Sequence, residues 1–208
     1  MKSITTFCVT LLAGAITASA QNAASFYNYT QSPPFGLVLL SHDAKYNGSA
    51  LSACHEGAAI ESLCALGNTT PTSSASNTFY FNTTTDSYFP NYTTDSQPGL
   101  LVFNLPVTGS DGPFNASSPM SLRFDASSNL AGALFHPGYE QVNVNVAVTP
   151  QGHLNIPQYF NGTAVPLERW YVCETDYGYE YESIVWLMGD GTPDDPTCCP
   201  VEILVVEL

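Results

Sequence analysis

Positive charge is what this 208-residue chain has least of: four Lys and Arg stand against 18 Asp and Glu, a formal net charge of −14. Without Lys2, which sits in the N-terminal leader, Lys45, Arg123 and Arg169 are the strong cations left. Such a surface repels phosphate backbones and anionic lipid, which speaks against nucleic-acid and membrane-surface partners. Long hydrophobic runs are missing too. The apolar run at residues 4–16 is too short to span a bilayer, and the last run, 201–208, is short and carries Glu202 and Glu207. Neither a membrane-spanning helix nor a glycolipid-anchor tail is indicated. His42, His55, His136 and His153 form no HxxxH, HxH or HExxH set, so no metal and no cofactor are expected. Nucleophile-elbow, P-loop and dinucleotide fingerprints are also lacking, which leaves catalysis without a motif and leans against an enzyme.

What the N-terminus does hold is a basic Met1-Lys2, the apolar run and a small-residue Ala18-Ser19-Ala20. These regions come in the order of a secretory signal peptide. Residues 1–20 are therefore read as a signal and 21–208 as one secreted domain. With Gln21 first, the N-terminal histidine that oxidative polysaccharide-cleaving enzymes use to hold copper is excluded. Asn-x-Ser/Thr sequons stand at Asn28, Asn47, Asn68, Asn82, Asn91, Asn115 and Asn161. In a secreted chain they predict a glycoprotein with these asparagines exposed, and the polar stretches 69–78 and 82–97 read as sugar-carrying loops.

Gly and Pro each number 15, punctuation that suits many short strands. Candidate strands lie at residues 35–41, 79–82, 100–105, 121–125, 131–135, 142–148, 169–175, 181–188 and 201–208. The last three, joined through a turn at Gly178, read as a C-terminal meander. The chain is accordingly an all-β, single-domain β-sandwich or jelly roll with disulfide-stapled loops. Residues 52–66 fit a short helix or a compact loop. Trp170 and Trp186, with apolar neighbours on their own faces, read as core residues.

Five cysteines follow the leader: Cys54, Cys64, Cys173, Cys198 and Cys199. Two bridges among them allow several arrangements. Separation along the chain favours Cys54–Cys64 and Cys173–Cys199, with Cys198 left over. A bridge between the adjacent Cys198 and Cys199 is disfavoured by geometry.

Several clusters have chemical interest. Cys54-His55-Glu56 with Glu61 places an imidazole beside carboxylates, although sequence neighbours seldom face one point. Glu174, Asp176, Glu180 and Glu182 crowd the 177–179 turn, where a carboxylate pair for glycoside hydrolysis would need a sugar-sized cleft between its members. Asp190, Asp194 and Asp195 supply hard oxygens but not the set that calcium requires. Solvated acids and acidic turns are the simpler expectation for both groups. Tyr177 and Tyr179, on the turn, are the candidate glycan contacts, because aromatic faces stack on sugar rings while aromatics at strand spacing go to the core.

The segments Pro34-Phe35-Gly36-Leu37-Val38-Leu39-Leu40-Ser41, Leu51-Ser52-Ala53-Cys54-His55-Glu56-Gly57-Ala58-Ala59-Ile60-Glu61 and Arg169-Trp170-Tyr171-Val172-Cys173 resemble a group of small secreted proteins of filamentous fungi, broadly similar to cell-wall-associated and IgE-binding-type proteins. The resemblance covers most of residues 35–208. It implies secretion, paired cysteines and a β-fold, and carries over no catalytic residue. The expected function is that of a secreted, N-glycosylated, non-enzymatic protein of a fungal cell wall or extracellular space, with cell-wall polysaccharide or a host surface as partner. A carbohydrate-binding module or secreted effector is the alternative, and a secreted polysaccharide hydrolase the next.

Overall fold

In the FGLVLL run Phe35, Leu37 and Leu39 fall on one side, where they are 8%, 0% and 0% exposed. That period-2 pattern, repeated along the chain, produces sheets with one dry face. The computed structural model describes residues 29–67, 74–84, 98–138, 143–161 and 163–208. The signal-peptide reading of 1–20 and the sequons at Asn28, Asn68 and Asn91 lie outside the described residues.

The strands are β1 (Tyr29–Gln31), β2 (Phe35–Leu40), β3 (Leu51–Gly57), β4 (Ile60–Ala65), β5 (Phe79–Thr84), β6 (Leu100–Gly109) and β7 (Gly112–Phe124). They continue with β8 (Leu130–Phe135), β9 (Ala147–Val148), β10 (Leu154–Phe160), β11 (Thr163–Leu167), β12 (Trp170–Asp176), β13 (Glu180–Leu187) and β14 (Cys199–Glu207). One layer pairs β1, β5, β2 and β6, and the other pairs β12, β13, β4, β3 and β8. Two long strands belong to both. β14 pairs β12 through Cys199–Val201 and β2 through Glu202–Glu207. β7 pairs β6 through Gly112–Pro119 and β8 through Met120–Phe124. Strands that change sheets close the corners of the sandwich. A smaller sheet, β11-β10-β9, stands beside them.

The main core draws on both layers: Leu37, Leu39, Phe79 and Phe103 from one, and Leu51, Leu63, Phe135, Val172, Ile184 and the two tryptophans from the other. Trp170 and Trp186 face each other across β12 and β13, with ring centroids 4.7 Å apart in an edge-on contact. The chain is thus a disulfide-stapled, two-sheet β domain, and its tryptophans are core residues as expected.

Several expectations need correction. Residues 52–66 form neither helix nor compact loop but the β3–β4 hairpin, turned by Ala58 and Ala59 at φ of 49° and 62°. Alanine carries no signal for left-handed backbone, so the turn was invisible in sequence. The last three strands are not a meander, because β14 docks on the far side of β12 from β13 and thereby reaches β2. The β7 extension and the β10–β11 hairpin were missed, while of residues 142–148 only Ala147–Val148 is a strand among the described residues.

The bridges are Cys54–Cys64 and Cys173–Cys198, with Cys199 free. The Cys173–Cys199 expectation is corrected by one residue, and face explains why. Cys173 lies with Leu130, Val185 and Leu187 in an apolar cluster separate from the main core, and Cys198 packs against it. Cys199 is the cross-strand partner of Val172 and packs against the main core instead. Successive positions on strands point to opposite faces, so a one-residue step changes partners.

Candidate functional site

Register places three side chains from distant parts of the chain together. His153, just before β10, bridges to Leu204 of β14, while Glu202 of β14 is the partner of Leu40 in β2. Glu168 lies in the short link between β11 and β12. That link is held by Trp170, whose indole Nε1 donates to the Leu154 carbonyl at 2.8 Å. His153 Nδ1 lies 3.3 Å from Glu168 Oε2 and 3.2 Å from Glu202 Oε2. All three donor atoms fall within 4.8 Å of one another. Beside the two carboxylates opens a cavity of about 430 Å³, walled in part by Leu40, Ser41, His42, Asn47, Tyr171 and Pro200.

One imidazole nitrogen and two carboxylate oxygens are a donor set that suits a small divalent cation, and a protonated imidazole would serve the same two carboxylates as a counter-charge. The strong cations among the described residues are engaged elsewhere. Lys45 meets Glu182, Arg169 meets Asp190, and the Arg123 guanidinium sits 5.4 Å from the centre of the Tyr177 ring. No spacing rule could have revealed the trio, because His153 and Glu168 meet by flanking the β10–β11 hairpin and Glu202 joins them only through β14.

The acidic hairpin is a second concentration. Glu174 faces Glu182 and Asp176 faces Glu180 across β12 and β13, so all four carboxylates share one face. Like charges placed directly opposite repel. Glu182 Oε1 is met by the Lys45 ammonium and accepts from the Tyr46 hydroxyl at 3.0 Å. The bond to Glu182 holds Lys45 above its ordinary pKa, and burial raises that of Tyr46. Glu182 is thereby the anionic end of a clamp tying the 43–48 turn to the hairpin.

The other sequence candidates separate. His55 turns out to solvent and pairs with Glu61 Oε1 at 3.0 Å, whereas Glu56 is 6% exposed and accepts from the Tyr179 amide at 3.2 Å through Oε2. Asp190, Asp194 and Asp195 do not converge on one point. Asp190 pairs with Arg169, Asp194 accepts from the Ser128 hydroxyl and the Asn129 amide, and Asp195 accepts from Thr197. These bonds fasten residues 189–198 as a strap beside the Cys173 cluster.

Tyr179 is 54% exposed, with its ring 6.0 Å from that of His55. Tyr177 departs from its expected exposure: it folds back so that a Cβ at Gly132 would lie 2.3 Å from its hydroxyl. Burial is the main cause that raises its pKa, with Arg123 acting the other way.

Sequons divide likewise. Asn47, Asn115 and Asn161 are exposed. Asn82 corrects the expectation for its segment, since it lies in β5, 7% exposed, and accepts from Gln31 Nε2. Its strand is paired with β1 and β6 on either side, while residues 85–97 of the stretch read as a loop lie outside the described residues.

A family model described as a domain of unknown function (DUF7907) matches residues 32–207. No curated protein and no solved structure matches the chain.

Proposed function

The chain belongs to the DUF7907 family, and we propose that it is a secreted, N-glycosylated protein of a fungal cell wall or extracellular space that works by binding and not by catalysis. The observation that carries this reading is the pair of bridges, Cys54–Cys64 and Cys173–Cys198, each holding together parts of the sandwich. Disulfides of this kind persist in oxidising compartments and are rare where thiols are kept reduced. The exposed Asn47, Asn115 and Asn161 agree with passage through a glycosylating pathway. Expression of the full chain in a eukaryotic secretory host tests it. Medium should contain a protein whose gel mobility increases after enzymatic deglycosylation, and non-reducing peptide mapping should recover both bridges. Retention in the cytosol with reduced cysteines and no glycan would sink the reading.

A carbohydrate-binding role is the second reading, favoured by the cavity beside Glu168 and Glu202. Its walls combine Ser41, His42, Asn47 and the two carboxylates with the Tyr171 ring and the aliphatic Leu40 and Val201, so that hydrogen-bonding groups stand beside an aromatic face. Pull-down on wall polysaccharides with the parent and a Tyr171→Ala variant decides it: retention lost in the variant supports the cavity as the site. For the hydrolase alternative the acidic hairpin offers the carboxylates, and activity on the same polysaccharides that disappears in Glu174→Gln would bring it forward.

A further inference from the structure

The tip of the β10–β11 hairpin leaves Phe160 67% exposed, more than any other large apolar side chain among the described residues. Phe160 is the cross-strand partner of Thr163, so residues 161 and 162 alone make the connection. Asn161 has φ of 49°, the left-handed backbone that the first loop position of a type I′ turn requires, and Asn-Gly is the pair such turns favour. The same four residues, Phe160-Asn161-Gly162-Thr163, spell an aromatic residue followed by a complete sequon. Val165 lies two positions beyond Thr163, on the same face by strand alternation, and is 43% exposed. The hairpin tip therefore presents an uncovered apolar face beside an asparagine built to carry a sugar.

We propose that Phe160 is a platform for the glycan on Asn161, with the ring and the Thr163 methyl covered by the apolar face of the first N-acetylglucosamine. The inference rests on the secretory reading above and deepens it. In the modification, Asn161 Nδ2 gives up one hydrogen and bonds the anomeric carbon of an oligosaccharide, whose pyrophosphate-lipid carrier departs as the leaving group. Cross-strand neighbours lie about 5.5 Å apart, a span that one sugar ring attached at the turn can cover. Stacking then offsets the exposure of Phe160 and ties the sugar to the hairpin.

The other described sequons serve as internal contrasts. Tyr46-Asn47-Gly48-Ser49 has the same pattern, yet Tyr46 is 6% exposed and donates to Glu182, so its ring offers no free face. Phe114 precedes Asn115 within β7, where neighbouring side chains point to opposite faces. Asn82 is buried.

The experiment uses the full chain secreted from a eukaryotic host, as parent, Phe160→Ala, Asn161→Gln and the double variant. Peptide mass spectrometry reads occupancy at each sequon, and thermal melting reads stability. Asn161 should carry glycan, and trimming that glycan to its first sugar should leave the melting temperature unchanged. Phe160→Ala should lower melting by about 2–4 °C when Asn161 is glycosylated, the range expected for one modest interaction in a domain of this size. In the Asn161→Gln background the same change should have almost no effect. Equal effects in both backgrounds, or none in either, would overturn the platform while leaving the secretory reading standing. Glycan at other sequons but none at Asn161 would do the same, and a chain with no glycan anywhere would overturn both.

Discussion

Gly132 and Tyr177 meet where β8 passes under the β12–β13 turn. A methyl group at Gly132 would lie 2.3 Å from the tyrosine hydroxyl and 2.6 Å from the ring carbon that bears it. A stiff ring cannot yield as a flexible chain end would, so Gly132→Ala should cost about 1–3 kcal/mol through overpacking. In a Tyr177→Ala background most of that cost should vanish. Chemical denaturation of the four proteins in the cycle measures the coupling, and additive effects would show that ring and glycine do not touch. His136 gives a pH-dependent counterpart. Burial, followed by the charge of Arg123, lowers its pKa in the folded chain. As pH falls, the unfolded chain then binds the proton first, near pH ~6.5. The stability contribution is therefore full above that value and lost as pH drops through the folded one. Melting at pH ~7.5 and ~5 should show a smaller acid loss for His136→Gln than for the parent.

At the scale of elements, the entry into β14 is informative at its two cysteines, Cys198 just before the strand and Cys199 at its first position. Cys198→Ser should open the bridge to Cys173, a link closing 25 residues of chain. Bridges over loops of this length contribute about 3 kcal/mol. Cys199→Ser should leave the bridge intact and change stability little, since Cys199 is free and lies at the edge of the main core. Non-reducing peptide maps and denaturation midpoints of both variants test this, and a Cys173–Cys199 peptide in the parent would reverse the assignment. The strap before β14 has its own logic: Asp190, Asp194 and Asp195 are spent on Arg169, Ser128, Asn129 and Thr197. An acidic run that looks like a cation site in sequence is here a set of tethers.

At the scale of the molecule, β7 and β14 do what no other strands do among the described residues, pairing with both layers. Removing residues 203–208 would delete most of the β14–β2 ladder, together with Ile203, which is 0% exposed. We expect that truncation to abolish the yield of folded protein, whereas removal of the exposed Leu208 alone should be tolerated. Yield of folded protein and resistance to limited proteolysis report the outcome. A folded 1–202 product would mean that the two layers hold together without this corner. The net charge of −14 adds a molecule-wide term, since like charges repel in the compact state and favour acidic or cation-rich surroundings.

Local chemistry was enough to establish the β class, most strand positions, the Cys54–Cys64 bridge and the burial of both tryptophans. Each depends on period-2 patterning or on residues close in sequence, and such signals survive without knowledge of neighbours. Facing and convergence were decided only by tertiary structure. Whether Cys198 or Cys199 meets Cys173 depends on the register of β14 against β12. The meeting of His153, Glu168 and Glu202 depends on that same strand reaching the smaller sheet. Two aromatic-Asn-Gly sequons look alike in sequence, yet the fold turns Tyr46 inward to Glu182 and leaves Phe160 in solvent. For the cysteines a shift of one residue in pairing changes which face a side chain takes, and pairing between distant strands is set by the packed whole.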